Sequence, residues 1–221
     1  TATTDPTNEA TPEALEAYFG PEESPPAIYI TIDDGWFPSD GVISLMKQEG
    51  VPLTTFLIVD AAREHLDFWK RFVDAGGQIQ NHTLSHPWLT GLPADSVRQQ
   101  WQAAQDAFYN WFGSRPTVGR PPYGASNATV RHTAADTGLN WLAMWSVTDN
   151  GRGISTWNRA KSVQDREITL SHWDPGVASD IEALLDAAKA AGLKPSLLPT
   201  TLPGGAAVRS ANPPSATSQP D

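Results

Sequence analysis

Two aspartates stand side by side at the end of the apolar run "AIYITIDDGW" (27–36), and two histidines stand four residues apart in "NHTLSHP" (81–87). Neighbouring residues of a regular strand point to opposite faces, so only one of Asp33 and Asp34 would face a given cavity. At a strand end followed by Gly35 the backbone is free to turn. Alone, the pair reads more simply as an exposed, solvated Asp-Asp-Gly turn. His82 and His86 share a face if they lie on one helical turn, where they could share a metal, and Pro87 should stop that turn at His86. The plain alternative is two solvated histidines in a polar loop. A metal held by two imidazoles takes a third, usually anionic, ligand, and a hydrolytic water needs a separate carboxylate to accept its proton. Asp34 as ligand and Asp33 as base would divide those tasks. A cation beside Asp33 should hold its pKa low, Arg120 could orient it through paired hydrogen bonds, and His172 could protonate a leaving group.

These residues need elements that bring them together. "AIYITID" reads as a strand, and "SDGVISLMKQEG" as a helix with Ser39 as N-cap, Val42, Leu45 and Met46 on one face and Gly50 as terminator. The alternation continues: "LTTFLIV" and a helix over 64–75, "QIQNH" and a helix over 94–112, "TVGRPP" and a helix over 126–137, then "WLAMW" and a less regular stretch at 156–165. "EITLSH" precedes "ASDIEALLDAAKAAG", in which Ile181, Leu184, Leu185 and Ala188 keep helical spacing up to Gly192; "KPSLLPTTL" could form a last edge strand. Repeated strand-helix units imply a parallel sheet covered by helices, doubly wound or closed into a barrel, with its chemistry at the carboxyl ends of the strands. Asp33, Asp34, His82, His86, Arg120, Asp149 and His172 all fall at such ends.

A chain of 221 residues with 39% hydrophobic residues and nine Trp suffices for one domain. The Thr-, Pro- and Ser-rich ends set a flexible tail at 1–11, a folded domain at 12–204 and a linker or tail at 205–221. A net charge of −10 without a basic cluster disfavours nucleic acid and anionic membranes as partners. No apolar run spans a bilayer and no basic-apolar leader opens the sequence, so the chain reads as soluble and, if exported, already processed; a monomer, secreted or at the cell surface, is expected. Zero cysteines exclude thiolate metal sites.

The assembled pattern resembles the polysaccharide deacetylase family, the NodB homology domain of carbohydrate esterase family 4. Four motifs occur in order: "TIDDG" (31–35), "HTLSH" (82–86), "RPPY" (120–123) and "LSH" (170–172). The resemblance implies an irregular (β/α) barrel, here with seven or an incomplete eight strands, and metal-assisted removal of acetyl groups from a polysaccharide. By resemblance Asp34, His82 and His86 hold one divalent metal, zinc by preference with cobalt, nickel or manganese possible, and Asp33 is the catalytic base tethered by Arg120. The Tyr123 N–H faces the oxyanion, Leu170 lines the acetyl-methyl pocket and His172 is the general acid. The remaining motif departs: the usual Asp three residues after a Trp is Thr148 here, no Asp-Trp follows, and Asp149, one residue on, is the candidate replacement that supports His172. Trp36 stands where many relatives have Pro.

Trp36, Trp88, Tyr123 and Trp173 lie beside motifs, where rings could stack on pyranose faces or simply pack; Trp145 joins the substrate-binding set from beneath the site, and Trp69, Trp101 and Trp111 read as core. The expected substrate is β-1,4-linked N-acetylglucosamine, as chitin oligomers or peptidoglycan. The alternatives are O-deacetylation of xylan and a carbohydrate-binding homologue impaired in catalysis, suggested by the altered motif.

Overall fold

In the order of the chain the elements are β1 (Leu15–Ala17), β2 (Ala27–Ile28), β3 (Thr31–Asp34), α1 (Asp40–Glu49), β4 (Thr54–Leu57), α2 (Val59–Ala62), α3 (Leu66–Asp74), β5 (Gln78–Asn81), α4 (Ala94–Phe112), β6 (Val118–Gly119), α5 (Ala128–Asp136), β7 (Trp141–Ala143), β8 (Val147–Asp149), β9 (Ile154–Thr156), β10 (Thr169–His172), α6 (Val177–Ala190) and β11 (Lys194–Pro195). This computed structural model describes residues 13–149, 153–156, 160 and 162–202. The tails expected at 1–11 and 205–221 lie outside the described residues, as does part of the stretch at 156–165. No helix among the described residues is long and apolar enough to cross a membrane.

One nine-stranded sheet runs β1-β7-β6-β5-β4-β3-β10-β8-β9, and β11 pairs with β2 in a separate two-stranded sheet. Every neighbouring pair is parallel except β8 with β9. The run curls without closing, the irregular (β/α) barrel that the sequence implied. Its register matters more than its strand count: Asp34 pairs with Leu57, Leu57 with Asn81 and Asn81 with Gly119, while His172 pairs with Asp33. The carboxyl ends of five strands therefore lie in one row, and the residues next along the chain, His82 and Arg120, emerge from that row together.

The helices follow their sequence signals closely. Ser39 has extended backbone at the N-cap of α1, and Gly50 closes the helix in the left-handed conformation with its N–H on the Met46 carbonyl. In α6 the spaced residues Ile181, Leu184, Leu185 and Ala188 are all buried. The first predicted strand divides in two, because Ala27–Ile28 pairs with β11 whereas Thr31–Asp34 joins the main sheet. The helix predicted from residue 64 is preceded by α2 and a short turn at Arg63–His65.

Trp69 and Trp101 are fully buried and Trp111 packs against the core. Trp173 corrects an expectation, since it is only 1% exposed and cannot stack on substrate. β10 ends at His172, and the next side chain enters the helix-covered side of the sheet, where its ring meets Phe68, Trp69 and Phe72 at 5.6, 5.1 and 5.8 Å. Its indole N–H donates to Thr55 Oγ1 at 2.8 Å, which satisfies the one polar group that burial would otherwise strand. Trp173→Ala should therefore lower unfolding free energy by about 3–5 kcal/mol, whereas Trp36→Ala, at an exposed position, should change it by about 0.5 kcal/mol or less; urea denaturation followed by circular dichroism checks both.

Candidate metal centre and active site

Two consecutive carboxylates reach one cavity because the backbone turns at Asp34, the last residue of β3. Asp33 has regular strand geometry, but Asp34 adopts φ 80° and Gly35 φ 112°, which swings the second side chain round to join the first. His82 Nε2 consequently lies 3.6 Å from Asp33 Oδ2 and 3.5 Å from Asp34 Oδ1. Gly35 is required for space as well as φ, because a Cβ there would sit 2.9 Å from Leu57 Cδ2 and 3.2 Å from the Trp69 ring.

His86 Nε2 approaches Asp34 Oδ1 at 3.7 Å, and the two imidazole centroids are 4.8 Å apart. The histidines do meet, but not on the helical turn expected from their spacing. Thr83 and His86 have φ of 74° and 60°, so the chain makes a tight left-handed loop instead. That loop is held by the motif's own Thr83 and by two side chains outside the motif: Asn81 Oδ1 accepts from the Thr83 N–H at 2.9 Å, Thr83 Oγ1 from the His86 N–H at 3.0 Å, and Gln100 Oε1 from the Leu84 and Ser85 N–H groups at 3.1 and 3.0 Å. Asn81 and Gln100 could have been found only by asking what satisfies the backbone of a loop too tight for its own hydrogen bonds.

His82 Nδ1 lies 2.7 Å from the Arg120 carbonyl. That oxygen can only accept, so Nδ1 carries the proton and Nε2 offers its lone pair to the cavity. Burial pushes His82 and His86 down to about 4, which leaves both imidazoles neutral at pH 7.

Arg120 is completely buried. The expected pair of hydrogen bonds to Asp33 is a single one: Nη1 donates to Asp33 Oδ1 at 2.7 Å and also to Thr31 Oγ1 at 2.8 Å, while Nε and Nη2 donate to the carbonyls of Ala143 and Met144 at 2.9 and 3.2 Å. The guanidinium lies 4.2 Å over the Phe56 ring. Thr31, which also donates to the Thr169 carbonyl, is thus a positioning residue that the sequence reading missed. Burial pushes the Asp33 carboxyl above its ordinary range, and Arg120 is the largest influence opposing it, followed by His172. Asp33 was expected low beside a cation; desolvation is the stronger effect of the protein itself, and a cation in the cluster would act on the same side as Arg120.

The other site residues distribute unevenly. His172 is exposed at the end of β10, level with Asp33 on the neighbouring strand. Leu170 lies two residues back on the same face and is 8% exposed. The Tyr123 ring stands edge-on to His86 at 4.6 Å, and Trp88 stacks on Tyr123 at 5.0 Å, so both form a wall beside the histidines. Trp145 supports this wall from beneath: it lies 5.8 Å from the Arg120 guanidinium, and a Cβ on Gly124 would come within 2.8 Å of its ring. Trp36 is half exposed at the rim. Asp149 requires a correction. Thr148 pairs with Leu170, so strand alternation puts Thr148 on the face of Leu170 and His172, and Asp149, buried beside Val147, on the other. A one-residue offset on a strand changes face rather than reach.

The ligand atoms of Asp34, His82 and His86 all lie within 4.8 Å of one another. Asp34 Oδ1 is buried without a hydrogen-bond partner, an arrangement that costs free energy unless something electropositive meets it. A tetrahedral cation with bonds of about 2.0–2.2 Å separates its ligands by about 3.3–3.6 Å. The His82–Asp34 spacing of 3.5 Å falls in that range and the His86–Asp34 spacing of 3.7 Å lies just beyond it, so a small inward shift of His86 would complete the fit.

An open (β/α) barrel with a His-His-Asp cluster and an arginine-tethered second Asp at its carboxyl rim defines a narrow class. The sequence profile described as polysaccharide deacetylase matches residues 20–142, and the chain belongs to that family. An uncharacterized protein of Streptomyces coelicolor is 32% identical over 134 residues, 61% of this chain and 54% of its own length. The peptidoglycan-N-acetylglucosamine deacetylase PgdA of Listeria monocytogenes is 33% identical over 154 residues, 66% of this chain and 32% of its own length. The chain thus spans about half the length of the first of these relatives and a third of the second. Among solved structures, a family 4 carbohydrate esterase from Streptomyces lividans in complex with acetate matches with a TM-score of 0.67 and 26% identity, over 79% of this chain and 94% of that one.

The two aspartates should separate experimentally. Asp34→Asn should weaken zinc binding by about 100-fold or more, whereas Asp33→Asn should bind zinc within about tenfold of wild type, with isothermal titration calorimetry as the readout. Equal affinities in the two variants would contradict the division of labour.

Proposed function

We propose that the chain is a metal-dependent N-deacetylase of β-1,4-linked N-acetylglucosamine polymers, with one divalent cation, zinc by preference, on Asp34, His82 and His86. The observation that carries this reading is the unpartnered Asp34 Oδ1 between two neutral imidazoles, beside a second carboxylate that a buried arginine orients. The cation supplies Lewis acidity toward the acetyl carbonyl and lowers the pKa of water.

The protein's own groups do the proton work. Asp33, fixed by Arg120 and Thr31, accepts the proton of the water that adds to the acetyl carbon. Desolvation raises its basicity, which suits a base that must take a proton and release it again. His172 stands level with Asp33 on the adjacent strand, so base and acid flank one reacting centre; His172 gives a proton to the departing sugar amine. The backbone N–H of Tyr123 is assigned to the carbonyl oxygen as negative charge develops there, and Leu170 to the acetyl methyl. The net charge of −10 favours a neutral glycan and its amine-bearing product over a strongly anionic polymer. Such polymers lie outside the cell membrane, so the reading places the protein as secreted or at the cell surface.

The test is acetate release from chitin oligomers of increasing length, peptidoglycan glycan strands, acetylated xylan and a small aryl acetate. Chelation should abolish activity and zinc or cobalt restore it, and turnover should rise with oligomer length because remote rings contribute binding energy at the reacting one. Acetylated xylan cleaved far faster than every N-acetyl substrate would replace this reading with an O-esterase. Full activity without metal would end it.

A further inference from the structure

The segment leaving β3 carries two aromatic rings that the chemistry above does not use. Trp36 and Phe37 are 50% and 56% exposed, and among the described residues neither packs against another aromatic ring. Large rings seldom stay this open at adjacent positions unless something covers them. They are also held in place. On one side Gly35 bends the chain tightly against Leu57 and Trp69; on the other Pro38 restricts the backbone and Ser39 begins α1. Two residues span at most about 7 Å, so Trp36 stays close to the ligand Asp34.

The topology sets this bridge opposite the Tyr123–Trp88 wall. Asp34, Trp36 and Phe37 follow β3, whereas His82, His86 and Trp88 follow β5 and Tyr123 follows β6, with β4 between the two groups. Aromatic residues thus follow the strands on both sides of the ligand residues. The charged groups nearest Trp36 and Phe37 along the chain are Asp33, Asp34 and Asp40, and Asp40 is paired with Arg71 at 2.6 Å, so the surface suits an uncharged ring and repels an anionic one. A β-linked pyranose presents flat C–H faces of that kind.

We propose that Trp36 and Phe37 form a sugar-binding platform that holds an uncharged pyranose ring of the polymer beside the residue that reacts. This rests on the polysaccharide deacetylase reading and adds to it where the chain's length preference is set. Phe37 belongs to no motif, and Trp36 stands where the family's pattern commonly has proline.

The double variant Trp36→Ala/Phe37→Ala tests the platform in two ways. With chitin oligomers, the ratio of kcat/KM for the hexamer to that for the dimer should fall at least tenfold, mainly through KM. In the Asp33→Asn background, calorimetric titration with the hexamer should show Kd weakened at least tenfold by the double change. Should the double variant fail to fold, Trp36→Gln alone carries both measurements. A length ratio and Kd within twofold of the parent would overturn the platform while leaving the deacetylase reading intact. If the wild type released no acetate from any oligomer and the Asp33→Asn protein bound none, the deacetylase reading itself would fail and the platform with it. If the rings proved to hold two copies together, with the double change converting a sedimenting dimer to monomer without altering the length ratio, the platform would likewise be overturned.

Discussion

A single buried guanidinium fixes both halves of the site. Arg120 leaves the end of β6, crosses the interior to Asp33 and Thr31 on β3, and meets the carbonyls of Ala143 and Met144 at the end of β7. Its own carbonyl orients His82, at the end of β5. Burying a charge is expensive unless its donors are used, and here all three guanidinium nitrogens donate. An ion pair in such a place is weak evidence of added stability, because desolvation offsets much of the attraction. Its contribution is geometric: the direction of Asp33 and the tautomer of His82 are set by one residue.

Around this fixed point the backbone is strained where the ligands are. Among the described residues, four of the five non-glycine residues with positive φ, Asp34, Thr83, His86 and Tyr123, belong to the site, and each such residue costs on the order of 1–3 kcal/mol. Asn81, Thr83 and Gln100 supply hydrogen bonds that hold this geometry in the histidine loop. The reward is that three ligand atoms converge without a helix to carry them.

The helices and the reactive residues were legible in the sequence for the same reason: both are signalled by short-range patterns. α4 spans the predicted 94–112, and Asp33, Asp34, His82, His86 and Arg120 do converge at strand ends. Features that depend on distant partners were not legible. β1 exists because it pairs with β7, more than a hundred residues away, and "LEA" has nothing of a strand about it. Trp173 looks like a rim residue until the helices behind β10 are present to receive it. The histidine spacing suggested a helical turn because i and i+4 coincide there, but a left-handed loop closes the same distance and no periodicity encodes it. Asp149 failed by parity, since an offset of one residue is trivial along a chain and decisive across a pleated sheet.

The contact that sets the His82 tautomer comes from the main chain of residue 120, while the contact that steers the base comes from its side chain. The two have different heritability. Any amino acid at 120 still has a carbonyl to offer His82, but only arginine spans the interior to Asp33. Loss of control over the base and loss of the ligand cluster are therefore separate genetic events. On the proposed function, a single codon change at 120 would free the base while leaving Asp34 and both histidines in the chain, so a catalyst and a non-catalytic binder would lie one mutation apart on this scaffold.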